Sequence, residues 1–289
     1  MANLKEVRIR IASVNSTQQI TKAMKLVSAT KLRRAQNAIQ QMRPYALKLN
    51  GILANLADSM DVESLKVYFN QRPIKKVLLV VITSDRGLCG GFNANVIKLA
   101  NRLIKDDFAG KQISILPVGK KAFEFFTKTN ANIIPTFKDT YQNLNADTGF
   151  EIGEYVLNQF KLGSFDKVEI VYNQFKNAAT QVLVNEAFLP IAPQNMSGKA
   201  AKADFIFEPN KAEILEALIP RILKTQVYKA LLDSFASEHG ARMIAMDKAT
   251  DNAGELIKSL KLEYNRARQS AITTEISEIV GGAAALSGT

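Results

Sequence analysis

The feature that most restricts how this chain can fold is a heptad seam at each of its ends. Leu32, Ala35, Ile39, Met42, Ala46, Leu49, Leu53 and Leu56 alternate spacings of three and four, the rhythm that lines one stripe of a helix with apolar side chains. Leu4, Val7, Ile11 and Val14 follow the same rule upstream, and the stripe weakens over the more polar stretch from Asn15 to Lys22. One helix over about the first 56 residues is predicted. Pro44 removes a backbone hydrogen bond within it, but the heptad phase continues past the ring, so a bend is expected and not an end.

The other end repeats the pattern. Pro209 suits the first turn of a helix, and from there nearly to the end the chain reads as helix, with Pro220 a second expected bend. Ala249, Ala253, Leu256, Leu260, Tyr264, Ala267 and Ala271 mark its seam. About 75 helical residues span roughly 110 Å, far beyond the ~11-residue mean of globular proteins.

The middle differs in kind. Lys76 to Thr83 is a short apolar, β-branched run, the signature of a strand buried on both faces. A glycine-rich turn follows, then a helix near 93–107. Further strands are expected at Gln112–Val118, Ile133–Phe137, Lys167–Tyr172 and Thr180–Ala187, with helices at Gly119–Thr129 and Thr148–Leu162. Residues 192–203 read as a surface loop and Asp204–Glu208 as a last short strand. Strands alternating with helices imply a mostly parallel sheet.

The expected fold is α/β: a long antiparallel coiled coil formed by the two chain termini, with a Rossmann-like α/β domain inserted between them. The boundaries are 1–58 for the first helix, 75–207 for the domain and 208–289 for the second helix. The last helix exceeds the first by about 20 residues, or ~30 Å. Its end, Ile276 to Leu286, is apolar around most of its circumference. Nothing else in the chain can cover it, which implies another protein around it.

Charge narrows the partners. The chain carries +11, and residues 1–50 hold ten Lys/Arg against one acid, Glu6. Such a segment needs nucleic acid, an anionic membrane or an acidic protein surface opposite it. Aromatic residues are absent before Tyr45, so a base-stacking platform is missing and no nucleic acid is expected. No run approaches the ~18 apolar residues of a membrane span, and the first residues lack a signal-peptide core. The lone cysteine, Cys89, excludes an internal disulfide.

Chemistry of the chain's own is not expected. Thr83–Asn93 lies between a strand and a helix, where phosphate loops sit, but its glycines are Gly87, Gly90 and Gly91, matching neither GxGxxG nor a Walker A loop. Cys89 as a nucleophile would need a histidine base, and the one histidine, His239, lies on the far helix, where a satisfied or solvent-facing role is expected. One His and one Cys also exclude the usual zinc donor set. No cofactor or metal is expected.

Three stretches carry a more specific likeness. Ile9 to Gln36 (IRIASVNSTQQITKAMKLVSATKLRRAQ), Ser237 to Ala253 (SEHGARMIAMDKATDNA) and Tyr264 to Leu286 (YNRARQSAITTEISEIVGGAAAL) resemble the terminal helices of the central-shaft γ subunits of F-type rotary ATP synthases. Ser84 to Asn93 (SDRGLCGGFN) is similar to that family's inner-domain motif. The likeness covers the whole chain in order.

The resemblance implies a rotor shaft with no active site. The coiled coil would stand inside a hexamer of α and β subunits. The α/β domain would form a foot, shared with ε, on a membrane ring of c subunits, one such shaft per complex. Proton or sodium flow would turn it, driving the β subunits in sequence through ATP synthesis, and hydrolysis would drive the reverse. By the same likeness Arg268 and Gln269 meet an acidic loop of β. Met24, Lys25, Arg242, Thr273 and Glu275 supply further β contacts, Phe205, Phe207 and Glu208 meet the c ring and ε, and Ile276, Ile279, Val280 and Leu286 form an apolar bearing. Membrane contact would run only through the c ring, at the cytoplasmic face of a bacterial cell membrane, or at the matrix face for a processed mitochondrial chain.

Overall fold

The computed structural model describes residues 4–56, 66–129, 131–134, 137, 140–141, 144–191 and 211–287. The expected loop at 192–203, the strand at Asp204–Glu208 and the helix start at Pro209 lie outside the described residues.

Helix α1 runs over Leu4–Leu56 and continues through Pro44. A one-turn helix α2, Lys66–Phe69, follows. The α/β part is β1 (Lys76–Ile82), α3 (Phe92–Arg102), β2 (Gln112–Val118), α4 (Lys120–Lys128), β3 (Asn132–Ile133), α5 (Ala146–Lys161), β4 (Lys167–Phe175) and β5 (Gln181–Leu189). Helix α6, Lys211–Ser287, continues through Pro220. The expected helix at 93–107 ends as α at Arg102 and finishes as a π turn over Leu103–Asp107.

The sheet order is β3-β2-β1-β4-β5. Strands β1 to β4 pair in parallel and β5 returns antiparallel to β4, because the short turn between them cannot house a crossover. The expected strand over Ile133–Phe137 is reduced to Asn132–Ile133, with a single further bridge between Val118 and Phe137.

Strand β1 shows why its sequence is continuously apolar. Val77, Leu79 and Val81 face α3 and α4 and pack with Val96, Leu99, Ile115 and Phe126. Leu78, Val80 and Ile82 face α5 and the first part of α6, among Ile152, Val156, Phe160, Leu223 and Val227. Each side chain so buried contributes about 1.5–3 kcal/mol. Helices α5 and α6 approach closely because Gly149 and Gly153 lie where any Cβ would strike Tyr228 and Lys224.

Contacts divide the chain into two units, Met1–Val27 with Met243–Thr289, and Ser28–Arg242. In the first unit α1 and α6 run antiparallel: Thr21 lies against Thr250, Lys25 against Asp247, and Gly254 against Gln18. The seam does not stop at Asn15–Lys22. It passes through Gln18, which is half-buried, and Thr21, which is buried, so the heptad phase persists in polar residues. On α6 the inward positions are Met246, Thr250, Ala253, Ile257, Leu260, Tyr264, Ala267 and Ala271. Leu256, expected in the seam, is 41% exposed. Ile257 takes its place: both residues fit a three-and-four rhythm from Met246, and the flank of α6 that carries Thr250 and Ile257 is the one turned to α1.

Candidate functional site

The seam of the first unit also sets where α6 outruns its partner. Counting from Thr21 opposite Thr250, Leu4 comes opposite Ala267. From Arg268 to Ser287 no described residue of α1 remains to pair with α6, and at 1.5 Å per residue that stretch is about 30 Å long. Exposure follows: Arg268 and Gln269 are open, Ala271 is half-buried, and every residue from Ile272 to Ala283 is exposed. Ile276, Ile279 and Val280 are 55%, 71% and 61% exposed and lie within five residues of one another on the stretch with no described partner. Thr273 returns its hydroxyl to the Gln269 carbonyl at 2.9 Å, and Glu275 is exposed. Leu286 lies within α6, its side chain outside the described set.

Lower in the same unit, Met24 and Lys25 are half-buried. The Lys25 ammonium pairs with the Asp247 carboxylate across the two helices. The Thr21 and Thr250 hydroxyls lie 2.8 Å apart, and Gln18 Nε2 reaches the Thr250 carbonyl at 3.3 Å. Met24 and Lys25 thus sit beside a polar layer that spans the coiled coil. Phe205, Phe207 and Glu208 lie outside the described residues.

Arg242 belongs to the other unit and is built in. It is buried, Nη1 donates to Glu238 Oε1 one turn back, and Nη2 donates to the carbonyls of Arg86 and Gly87 at 3.0 and 3.1 Å. A planar guanidinium suits this double duty, fixing two directions at once. The loop it holds is itself cross-tied. Ser84 N donates to Asn93 Oδ1 at 3.0 Å, and Asn93 Nδ2 donates to Ser84 Oγ at 2.8 Å and to Cys89 Sγ at 3.2 Å. Asp85 accepts from the amides of Lys120 and Tyr141. At the tip Leu88 has φ +63° and is 65% exposed, a left-handed backbone that few non-glycine residues adopt.

The two reactive candidates are accounted for by this packing. Burial pushes the Cys89 thiol up, and its neighbours are the Ser84 hydroxyl, the Asn93 amide and the Arg86 carbonyl, none of them a base. His239 is neither solvent-facing nor fully satisfied. It is 5% exposed, edge-on to Phe235 at 4.5 Å. Its Nδ1 faces Arg242 Nη1 at 3.5 Å and must accept, which leaves the proton on Nε2, an atom without a direct partner. Burial, then the Arg242 and Lys31 charges, lower its pKa to about 3. Among the described residues no group of His, Cys, Asp and Glu could hold a metal ion.

Sequence reasoning missed Glu238, Asp85 and the Thr21–Thr250 pair. The first had a signal, an i,i+4 Glu–Arg spacing on a helix. The others depend on contacts between residues far apart in sequence.

Comparison with known proteins places the whole chain. Residues 3–286 match the family model described as ATP synthase. The ATP synthase gamma chains of Cytophaga hutchinsonii and Flavobacterium johnsoniae are each 55% identical to it, the first over 99% of both chains and the second over the full length of both. Among solved structures, a chain from the structure of the Tetrahymena thermophila mitochondrial ATP synthase central stalk and c-ring superposes with a TM-score of 0.62 at 29% identity, covering 80% of this chain and 99% of that one. A Euglena gracilis mitochondrial ATP synthase chain gives a TM-score of 0.69 at 21% identity, covering 98% of this chain and 94% of that one, a likeness of fold. With a family model spanning nearly every residue and full-length relatives at this identity, the chain belongs to the ATP synthase gamma-chain family.

Proposed function

We propose that this chain transmits torque as the central shaft of its ATP synthase complex and contains no active site of its own. The observation that carries the proposal is the unpartnered end of α6. A regular helix with aliphatic residues open on several sides, directly beyond the last described residue of α1, suits a pivot inside an apolar sleeve contributed by other subunits. Arg268, Gln269, Thr273 and Glu275 stand at its base. Short-range polar groups there suit a catch that breaks and re-forms as the shaft turns, since an Arg fork on a carboxylate is orientation-sensitive and compact.

The division of labour follows. Residues 1–58 with 208–289 form the shaft within the α and β subunits, with Met24 and Lys25 against an acidic part of β. Residues 75–207 form the foot that meets ε and the c ring, with Phe205, Phe207 and Glu208 in that contact. Arg242 serves β contact indirectly, by holding the loop whose tip at Leu88 is the one part of residues 75–207 that would meet β. No described helix is long and apolar enough to cross a membrane, which fits attachment through the ring at the cytoplasmic face. Ion flow through that ring would turn the shaft.

The test is a reconstituted complex in which a probe fixed to an exposed foot residue is watched during ATP hydrolysis. Rotation of the probe relative to the β subunits is expected, together with no ATP hydrolysis by the purified chain alone. A stationary probe in an active complex would overturn the shaft role, and hydrolysis by the lone chain would overturn the non-catalytic part.

A further inference from the structure

The support behind Arg242 is incomplete as drawn by direct contacts. Glu238 is 4% exposed, and its Oε1 is taken by Arg242 while its Oε2 has no direct partner. Ser234, one turn earlier on the same face of α6, is fully buried and its Oγ is likewise without a partner. The Tyr141 hydroxyl is a third such atom on a residue only 8% exposed. Tyr141 cannot swing away: its ring stacks on Phe235 at 5.6 Å and 6°, and its amide is tied to Asp85.

These three groups share one neighbourhood. Tyr141 interacts with the Ser234 hydroxyl and lies within range of the Glu238 and Asp85 charges, but the two hydroxyls do not meet in the geometry of a full hydrogen bond. Buried polar groups in folded proteins are almost always satisfied. Three such atoms in one neighbourhood call for a shared ligand that both donates and accepts, of the kind buried polar pockets hold with two to four partners. The two hydroxyls and the carboxylate oxygen offer both roles. A metal cation is disfavoured, because one carboxylate already paired with Arg242 leaves no net negative charge.

We propose that Tyr141 Oη, Ser234 Oγ and Glu238 Oε2 bind a single internal water molecule, and that this water completes a relay through Glu238 and Arg242 to the Arg86–Gly87 carbonyls. The water accepts from one hydroxyl and donates to the carboxylate, fixing the second oxygen of Glu238. Glu238 is then held in the rotamer that aims Oε1 at Arg242. The presented loop tip at Leu88 is positioned from a site three side chains away.

The experiment is a structure of the assembled complex at a resolution that shows ordered water, paired with hydrogen exchange of the full-length chain. A density peak within about 2.6–3.2 Å of all three atoms is expected. Side chains closed directly on one another with no peak, or a peak whose coordination is that of a metal ion, would overturn the site. The double variant Tyr141→Phe with Ser234→Ala removes both hydroxyls while keeping shape. It is expected to raise exchange at the Gly87 and Leu88 amides at least about tenfold, with exchange in β1 and β4 unchanged. A change spread equally over β1 and β4 would mean general loosening and overturn the relay, as would unchanged exchange at the loop. Neither result bears on whether the chain rotates, so the shaft proposal stands or falls separately.

Discussion

Thr21 and Thr250 meet hydroxyl to hydroxyl at 2.8 Å across α1 and α6, in a polar layer of the seam that Gln18 shares. Thr250 also lies 2.7 Å from the Met246 carbonyl. Thr21 has a carbonyl of its own in reach, that of Gln18 at 3.0 Å; with the Thr250 proton held by the shorter contact, the Thr21 proton is shared between the Gln18 carbonyl and Thr250 Oγ1. Thr21→Val alone removes that donor and is expected to destabilise the chain by about 0.5–1 kcal/mol. Thr21→Val with Thr250→Val replaces both partners by apolar groups of the same shape and should fall within ~0.5 kcal/mol of the parent, or above it. Urea unfolding of the four members of the cycle checks this. Strict additivity of the two single effects would mean that the hydroxyls do not interact.

Lys25 and Asp247 lie one turn along the same layer, with side chains 38% and 48% exposed. Water and salt screen such a pair, so it is worth about 0.2–1 kcal/mol. Lys25→Met is expected to change the unfolding midpoint little at 0.5 M salt and slightly more at low salt. A loss above ~2 kcal/mol at either would show that the pair is the main lock of the register, a part here given to the buried seam.

The contact of α5 with α6 rests on a missing side chain. A Cβ on Gly149 would lie 2.7 Å from Tyr228 Cβ. Alanine ordinarily favours a helix by ~1 kcal/mol over glycine, but overpacking costs about 1–3 kcal/mol, and Gly149 lies near the start of α5, where the propensity gain is small. Gly149→Ala should therefore destabilise by roughly 1–2 kcal/mol in denaturant unfolding. A stabilised variant would mean that the helices separate freely.

Much of this fold could be read from residue order, for a physical reason. The β1 run from Val77 to Ile82 is apolar on both faces because both faces are covered, and the seams of α1 and α6 announce length and partner at once. What escaped reading depends on the other side of a contact. Ile257 and Leu256 both continue a three-and-four rhythm from Met246, and only which flank of α6 meets α1 separates them. By residue type the seam fades at Gln18 and Thr21, because the partner that makes them part of it, Thr250, lies more than 200 residues away. Arg242 has a helical neighbour that could be anticipated in Glu238. The Arg86 and Gly87 carbonyls it also binds carry no side-chain signal at all.

His239 gives the chain an acid-sensitive element. Unfolded, an imidazole titrates near 6.5, whereas here burial, with Arg242 and Lys31, lowers it to about 3. The unfolded chain binds the extra proton between those values. The contribution is therefore intact above about pH 6.5 and falls as pH drops toward 3, by at most about 1.4 kcal/mol per pH unit. Glu238 opposes it, since burial raises its carboxyl above 4.5 and favours the folded state at low pH. His239→Leu removes only the first effect. The parent should lose more stability than the variant between pH 7 and 5 in thermal unfolding. Parallel curves would mean that the imidazole is protonated in place.

The end of α6 separates folding from function. Ile276, Ile279 and Val280 are exposed and lie beyond the described residues of α1, so replacing all three by Asp removes no buried contact among the described residues. Surface substitutions of this kind shift stability by about 0.5 kcal/mol or less each. Thermal unfolding of the isolated chain should scarcely register the triple variant. In an assembled complex the same three carboxylates would have to enter an apolar sleeve, where an unpaired charge is strongly disfavoured. ATP-driven rotation should therefore slow at least about tenfold, or the complex should fail to assemble, while Arg268→Ala, at the polar base, should assemble normally and lose a smaller part of the rate. A triple variant that assembles and turns at the parent rate would mean that the apolar end of the helix bears on nothing.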